Sequence, residues 1–332
     1  MKDNVQITKR KDCDILVVGG TLEGCIAAAL AGRSGAEVIL IENSGSVGAM
    51  ATNGLHSWFP EFASGTAGDR TAEMRKEMLE RLKKPCTEGA VLYNDQHMKI
   101  VLAKLLRDEG VTLLTHVYVS SPIMEEGMLK GFYAYGKTGC MELHAKRIID
   151  ATERLECLGA LGIPQTLRPG RVQVGMKLNA INMEAAVGTC EKVLSLDDRQ
   201  MIGMLKLQHC GTVGGLSLEA DELLLLGNVK RREMIVQGLK CRVATIDPLL
   251  LSKAQMALHR YAYVLRDELR SRVPGFQEAH IIHVAQRMDT YGLASYRQAD
   301  LPYENLLLCN RDTAAYDNNK ALQIGTATAE GL

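Results

Sequence analysis

The sequence predicts an α/β protein, a Rossmann-like dinucleotide-binding unit joined to a smaller second domain. Three observations predict it. From Cys13 to Glu42, "CDILVVGGTLEGCIAAALAGRSGAEVILIE" passes from an apolar run through a glycine turn and small residues to a second apolar run. From Met128 to Thr152, two alternating strands flank a Lys-Thr-Gly turn and lead to a buried strand ending in Asp150-Ala151-Thr152. From Asp247 to Val273, an amphipathic pattern opens on Asp247-Pro248, a good cap and first-turn pair for a long helix.

Ile15 to Val18 reads as a short buried strand, rich in β-branched residues and bounded by glycines. "GCIAAALA", from Gly24 to Ala31, has the small residues of a helix pressed closely on a sheet. Val38 to Ile41 is a second buried strand. Strand, turn, helix and strand fit in about 30 residues, the context in which a glycine fingerprint carries weight. Gly19 allows the tight turn, and Gly24 lets the helix approach the strand. The turn, Gly20 to Leu22, then offers backbone N–H groups and a helix N-terminus to a pyrophosphate. Thr21 stands where the fingerprint has its middle glycine. Its side chain narrows the room for a phosphate, while its hydroxyl can donate a hydrogen bond. Glu42 ends the second strand and can accept bonds from both hydroxyls of a ribose, with Asn43 as the alternative for that contact. A βαβ unit with no ligand is the plainer reading of the same residues.

The totals restrict the partners. Lys plus Arg equals Asp plus Glu at 39 each, with no basic stripe, so no nucleic-acid partner is expected. Nine cysteines without a Cys-x-x-Cys pair suit a reducing cytoplasm better than a disulfide framework or a zinc site. The start, "MKDNVQITKRKDC", has no apolar signal core, and no apolar run approaches the roughly 20 residues that cross a bilayer. A cytoplasmic protein with no membrane partner is expected. His280 and His283 alternate across an apolar strand, "AHIIHV", which argues against a metal site there. "TAEMRKEMLERLKK", from Thr71 to Lys84, reads as a charged helix.

After Glu42 the chain is glycine-rich, "NSGSVGAMATNGLHSWFP", where an NAD-type unit would usually enter another helix. With the "GGT-x-x-G" turn and Gly48-Ala49-Met50-Ala51-Thr52-Asn53-Gly54, the sequence resembles the FAD-dependent oxidoreductases of the glutathione-reductase-like superfamily. The likeness continues in the helix and strand from Leu92 to Val119, where Ile100, Leu102, Leu105 and Leu106 form a buried face and Gly110 ends the helix. It continues in "SRVPGFQEAHIIHVAQRMDTYG", similar to the family's VPGF segment and arginine-bearing loop, and in the closing stretch from Glu304 to Leu332.

The resemblance implies FAD as cofactor. It also implies a glutathione-reductase-like FAD-binding domain over residues 12–152 plus 303–332, with a discontinuous substrate domain over 153–302. Val117 would meet the adenine through its backbone, and Ala151 and Thr152 would lie along the dinucleotide. Glu153 replaces the glycine the family has next, an added charge near the pyrophosphate. Met50 and Thr52 would contact the cofactor, and the side chains after the Met50 to Gly54 segment, His56 and Trp58 nearest, would face the isoalloxazine. Asp312 would lie near the pyrophosphate or ribityl chain, and Gly325 would open a helix toward the flavin. So few residues follow Gly325 that a homo-oligomer, or a partner subunit, is expected near the C-terminus.

The implied activity is hydride transfer between a small organic substrate and flavin. The rival is a catalytically degenerate or partner-dependent flavoprotein subunit, which the departures at Thr21, Ala49 and Glu153 favour. His56 is the candidate proton donor or acceptor, or else a loop histidine satisfied by backbone contacts. Arg287 is the candidate for holding an anionic substrate group or stabilising reduced flavin, or else forms a structural salt bridge. Cys25 and Cys309 read as small buried hydrophobes, so a disulfide reductase is not expected.

Overall fold

The structure, a computed structural model, describes residues 7–59, 70–83, 91–163, 166–167, 170–197, 199–245, 247–291, 294–295 and 301–309. Two seven-stranded sheets organise them.

The first sheet runs in the order Thr112–Thr115, Val38–Glu42, Ile7–Val18, Gly139–Asp150, Met128–Gly136 and Tyr118–Glu125, with Leu306–Leu308 also paired to Gly139–Asp150. The strands from Thr112–Thr115 to Gly139–Asp150, and Leu306–Leu308, are parallel, while the last two form an antiparallel extension. Register aligns Val18 with both Ile41 and Asp150. Gly19, Glu42 and Ala151 therefore emerge together at the carboxyl ends of neighbouring strands, where open α/β sheets bind ligands.

The first strand begins at Ile7, well before Ile15, because its polar first half pairs with Cys140 to Ala145. The expected second hairpin strand and the buried strand after it are one element of 12 residues, Gly139–Asp150. Its burial changes midway from partial to complete, and that change of cover, not a break in the chain, produces the change in pattern.

Helix Leu22–Arg33 buries Gly24, Cys25, Ala28 and Ala31 toward the sheet, as its small residues allow. Helix Asp95–Asp108 is capped by Asn94, whose side chain accepts from the His97 N–H at 2.9 Å. Its inner face is Met98, Val101, Leu102, Leu105 and Leu106. Ile100, expected on that face, is 53% exposed, because it lies half a turn away. Gly110 follows with φ of 74°, a left-handed residue that ends the helix. The charged helix runs over Arg70–Arg81.

The second sheet is antiparallel. Its order is Lys192–Asp197, Gln200–Val213, Leu216–Asn228, Glu233–Val243, Gly170–Asn179 and His280–Val284, with Asp289–Tyr291 also paired to Gly170–Asn179. The 25-residue helix Pro248–Arg272 packs on it through Leu251, Ala254, Leu258, Ala262, Leu265 and Leu269, and Asp247 caps its start.

The glycine-rich segment after Glu42 lies between the sheets. Leu55 is fully buried in the core of the second sheet, and its carbonyl accepts from Gln237 Nε2 at 2.8 Å. The Asn53 carbonyl accepts from the backbone N–H groups of Gln286 and Arg287. These contacts fix the loop that carries His56 against the segment that carries Arg287. Among the described residues, no helix is long and apolar enough to cross a membrane.

Candidate functional site

The glycine turn is packed so closely that it fixes its own residue types. Gly19 has φ of 101°, and a Cβ there would lie 2.7 Å from the Ala151 carbonyl group. A Cβ on Gly24 would collide with the Gly19 carbonyl oxygen and lie 2.9 Å from Ala151 Cβ. Thr21 does not narrow the turn as expected. Its hydroxyl accepts from the Gly24 N–H at 3.0 Å and donates to the Ala151 carbonyl at 3.1 Å, and the residue is buried. The departure from the fingerprint is thus an N-cap, turned back onto the helix and the neighbouring strand end. The first-turn N–H groups that follow, beginning at Leu22, form the positive end of the helix dipole.

Glu42 is 1% exposed. One carboxylate oxygen, Oε2, accepts from the Gly20 N–H at 2.8 Å. The other, Oε1, accepts from the Ser44 N–H at 2.8 Å and from Arg287 Nη1 at 3.1 Å. A carboxylate has about four acceptor positions, so about one remains for a ribose hydroxyl while Arg287 stays in place. Arg287 also donates from Nε to Glu153 Oε2 at 2.9 Å. The charge that departs from the family pattern at Glu153 is therefore compensated by an arginine 134 positions along the chain.

A cleft is lined by Gly19, Glu42, Asn43, Val117, Thr152 and Arg287, among others. Six residues singled out in the sequence thus meet in one place. Asn43 is exposed at its rim. Val117 already donates its N–H to the Glu42 carbonyl at 3.0 Å, so any polar contact from its backbone to a base comes from its carbonyl. Arg287 is one of the residues that line this cleft, its guanidinium lying against Glu42.

Asp150 is completely buried. It accepts from the Thr152 N–H and hydroxyl at 3.0 and 2.6 Å and from the Cys157 N–H at 3.0 Å. Thr152 Oγ1 in turn accepts from the Glu156 N–H at 2.8 Å. These bonds bend the chain after the strand and press Ala151 onto the turn. Burial raises the carboxyls of Glu153 and Glu156 above their usual range. Burial opposes the charge of Arg287, but Glu153 and Glu42 outweigh it and raise that pKa.

Burial also pushes Asp150 up from 3.8 to about 6, against the bonds it accepts. The folded chain holds this proton more tightly than the unfolded chain, so Asp150 favours folding most below its unfolded value. That contribution is lost as pH rises through about 6. Between about pH 7 and pH 5, the melting temperature of the wild type is expected to gain on that of Asp150→Asn. A difference between the two that is constant with pH would contradict this.

In the loop after Glu42, Ala49–Ala51 forms one 3₁₀ turn. Thr52 is buried and its hydroxyl donates to the Val47 carbonyl at 2.9 Å, so it holds the loop together. Met50 packs against Gly54, where a Cβ would displace its side chain. His56 points to the second sheet: its Nε2 lies 3.5 Å from Asp289 Oδ2 and 3.5 Å from Gln173 Nε2. Gln173 Nε2 donates to Asp289 Oδ2 at 3.3 Å. Asp289 and Gln173 are 6% and 8% exposed. Sequence reasoning passed over both. A glutamine in the apolar strand "RVQVGMKL" was the available signal for one of them.

Arg287 therefore sits at the Glu42 end of the site, while His56 sits with Asp289. Asp312, Gly325 and the expected C-terminal interface lie outside the described residues. Eight described cysteines are free, and burial raises the thiols of Cys25 and Cys309. Among the described residues, no group of three or more His, Cys, Asp or Glu side chains could hold a metal ion.

A family model described as "FAD dependent oxidoreductase" matches residues 14–290. The chain belongs to this family. FAD is its cofactor, and the residues fit the adenosine diphosphate half: a glycine turn at a helix N-terminus, a buried carboxylate ending the second strand, and a cleft beside both. The FixC protein of Escherichia coli (strain K12) is 26% identical over 184 residues, 49% of this chain and 42% of FixC. The match therefore spans less than half the length of that relative.

A solved geranylgeranyl bacteriochlorophyll reductase-like protein from Thermoplasma acidophilum shares the fold with a TM-score of 0.59 at 14% identity, covering 97% of this chain and 79% of its own. The p-nitrophenol 4-monooxygenase PnpA of Pseudomonas putida shares it at 0.58 and 12% identity, covering 96% of this chain and 79% of its own. Within the family architecture, the Rossmann-like part is the first sheet with its helices.

Proposed function

We propose that this FAD dependent oxidoreductase transfers a hydride between a small organic substrate and its flavin. The observation that carries the reading is the cluster of half-buried His56 with buried Asp289 and Gln173, where the loop after Glu42 meets the second sheet. Bound FAD supplies the hydride acceptor or donor. The chain's own residues bind it, exclude water between the two sheets, and hold a proton at His56. Asp289 and Gln173 orient that imidazole.

His56→Gln is expected to lower the rate of substrate-dependent flavin bleaching about 10²-fold, with the flavin content of the purified protein unchanged. An unchanged bleaching rate would remove His56 from the chemistry. The substrate domain over residues 153–302, and the assembly of further copies or a partner near the C-terminus, belong to the same proposal.

One observation favours the second reading, a degenerate or partner-dependent flavoprotein subunit: Arg287 already takes an acceptor position of Glu42 at the cleft. Flavin that no candidate substrate bleaches, in a protein that binds FAD, would support that reading over the first.

A further inference from the structure

We propose that Arg287 gates the cofactor cleft, competing with the ribose of the dinucleotide for Glu42 while Glu153 tethers it in place. The inference rests on FAD as the ligand of the cleft and concerns how it gains access.

Arg287 bridges two acidic side chains that leave different strand ends. Nη1 meets Glu42 at 3.1 Å and Nε meets Glu153 at 2.9 Å. Its main chain is anchored, because the Arg287 N–H donates to the Asn53 carbonyl at 3.3 Å. Any displacement is therefore one of the side chain, which keeps 19% exposure and a path to solvent. The guanidinium engages one of the acceptor positions that two ribose hydroxyls would need, since Gly20 and Ser44 already use two others. It also lines the cleft itself, beside Glu42.

Glu153 decides where the guanidinium rests. Asp289, Arg154 and Arg287 are the charged groups that act on Glu153, and only Arg287 is at hydrogen-bond distance among the described residues. When the dinucleotide enters, Glu42 exchanges one Arg287 N–H for a ribose hydroxyl. Arg287 turns about its Glu153 contact toward solvent or the incoming phosphates. No covalent bond changes. The exchange replaces a bond between two charged groups with one from a neutral donor to the same carboxylate, so the gate weakens FAD binding relative to an open cleft.

The test is titration of the wild type, Arg287→Gln and Glu153→Gln with FAD, followed by flavin fluorescence at equilibrium and in stopped flow, with circular dichroism as the check of fold. Both variants are expected to bind FAD about tenfold more tightly than the wild type. In the wild type, the association rate is expected to level off as FAD rises, because opening becomes limiting. In Arg287→Gln it should stay proportional to FAD. Glu153→Gln keeps the shape of the side chain, and so tests the tether even if Arg287→Gln fails to fold. Unchanged or weaker binding by folded Glu153→Gln would overturn the gate and leave the cofactor reading standing. Absence of FAD binding by all three proteins would overturn both. Binding by the variants alone would support the gate in its strongest form.

Discussion

Gly24→Val is expected to abolish FAD retention and to destabilise the first sheet. The position has no room for a side chain: the first carbon would strike the Gly19 carbonyl oxygen and crowd Ala151 Cβ. Those neighbours cannot yield cheaply. Gly19 is held by its N–H bond to the Ile41 carbonyl, and Ala151 by its bond to Val18. The helix must therefore move off the sheet, taking with it the Thr21 bonds that close the turn and the N–H groups of the helix N-terminus. Overpacking of a core costs about 1–3 kcal/mol, and a backbone collision belongs at the upper end or above. The ratio of flavin to protein absorbance and the melting temperature check this together. A variant that keeps both would show that the helix and strand are not packed as described.

Glu42→Ala is expected to be the most damaging single change at the cleft, costing about 3 kcal/mol. The loss is one of protein contacts, whatever Glu42 offers to a ribose. Gly20 and Ser44 would lose the acceptor for their N–H groups, and Arg287 would keep only Glu153. Burial of the acceptor to 1% exposure makes solvent a poor substitute. Glu42→Gln, which keeps the shape and one carbonyl acceptor, should fall between the two in urea denaturation. Equal midpoints for wild type and Glu42→Ala would deny the carboxylate this structural role.

Those effects mark the line between what was legible in the sequence and what was not. The βαβ unit was legible because its determinants are local: a buried run, a glycine turn, a small-residue helix and an acidic strand end. The long helix was legible for the same reason, from Asp247-Pro248 and its apolar period. Thr21 was visible as a departure, but its role was not, because the carbonyl it donates to is 130 residues away. Glu153 looked like an uncompensated charge until Arg287 was brought to it by the second sheet. Ile100 was misplaced because an apolar residue on a helix can face solvent singly without consequence. Asp289 and Gln173 come together with His56 only where the loop after Glu42 meets the second sheet. The local chemistry was readable in order along the chain, while the pairings that modify it depend on topology.

The central claim is that the turn from Gly19 to Gly24, with Glu42, holds FAD by its adenosine diphosphate half. Equilibrium dialysis of the purified chain against FAD and, separately, FMN tests it most directly, since FMN carries the flavin without the adenosine. One equivalent of FAD per chain and no retained FMN is the expected result. Equal retention of both, or of FMN alone, would contradict it.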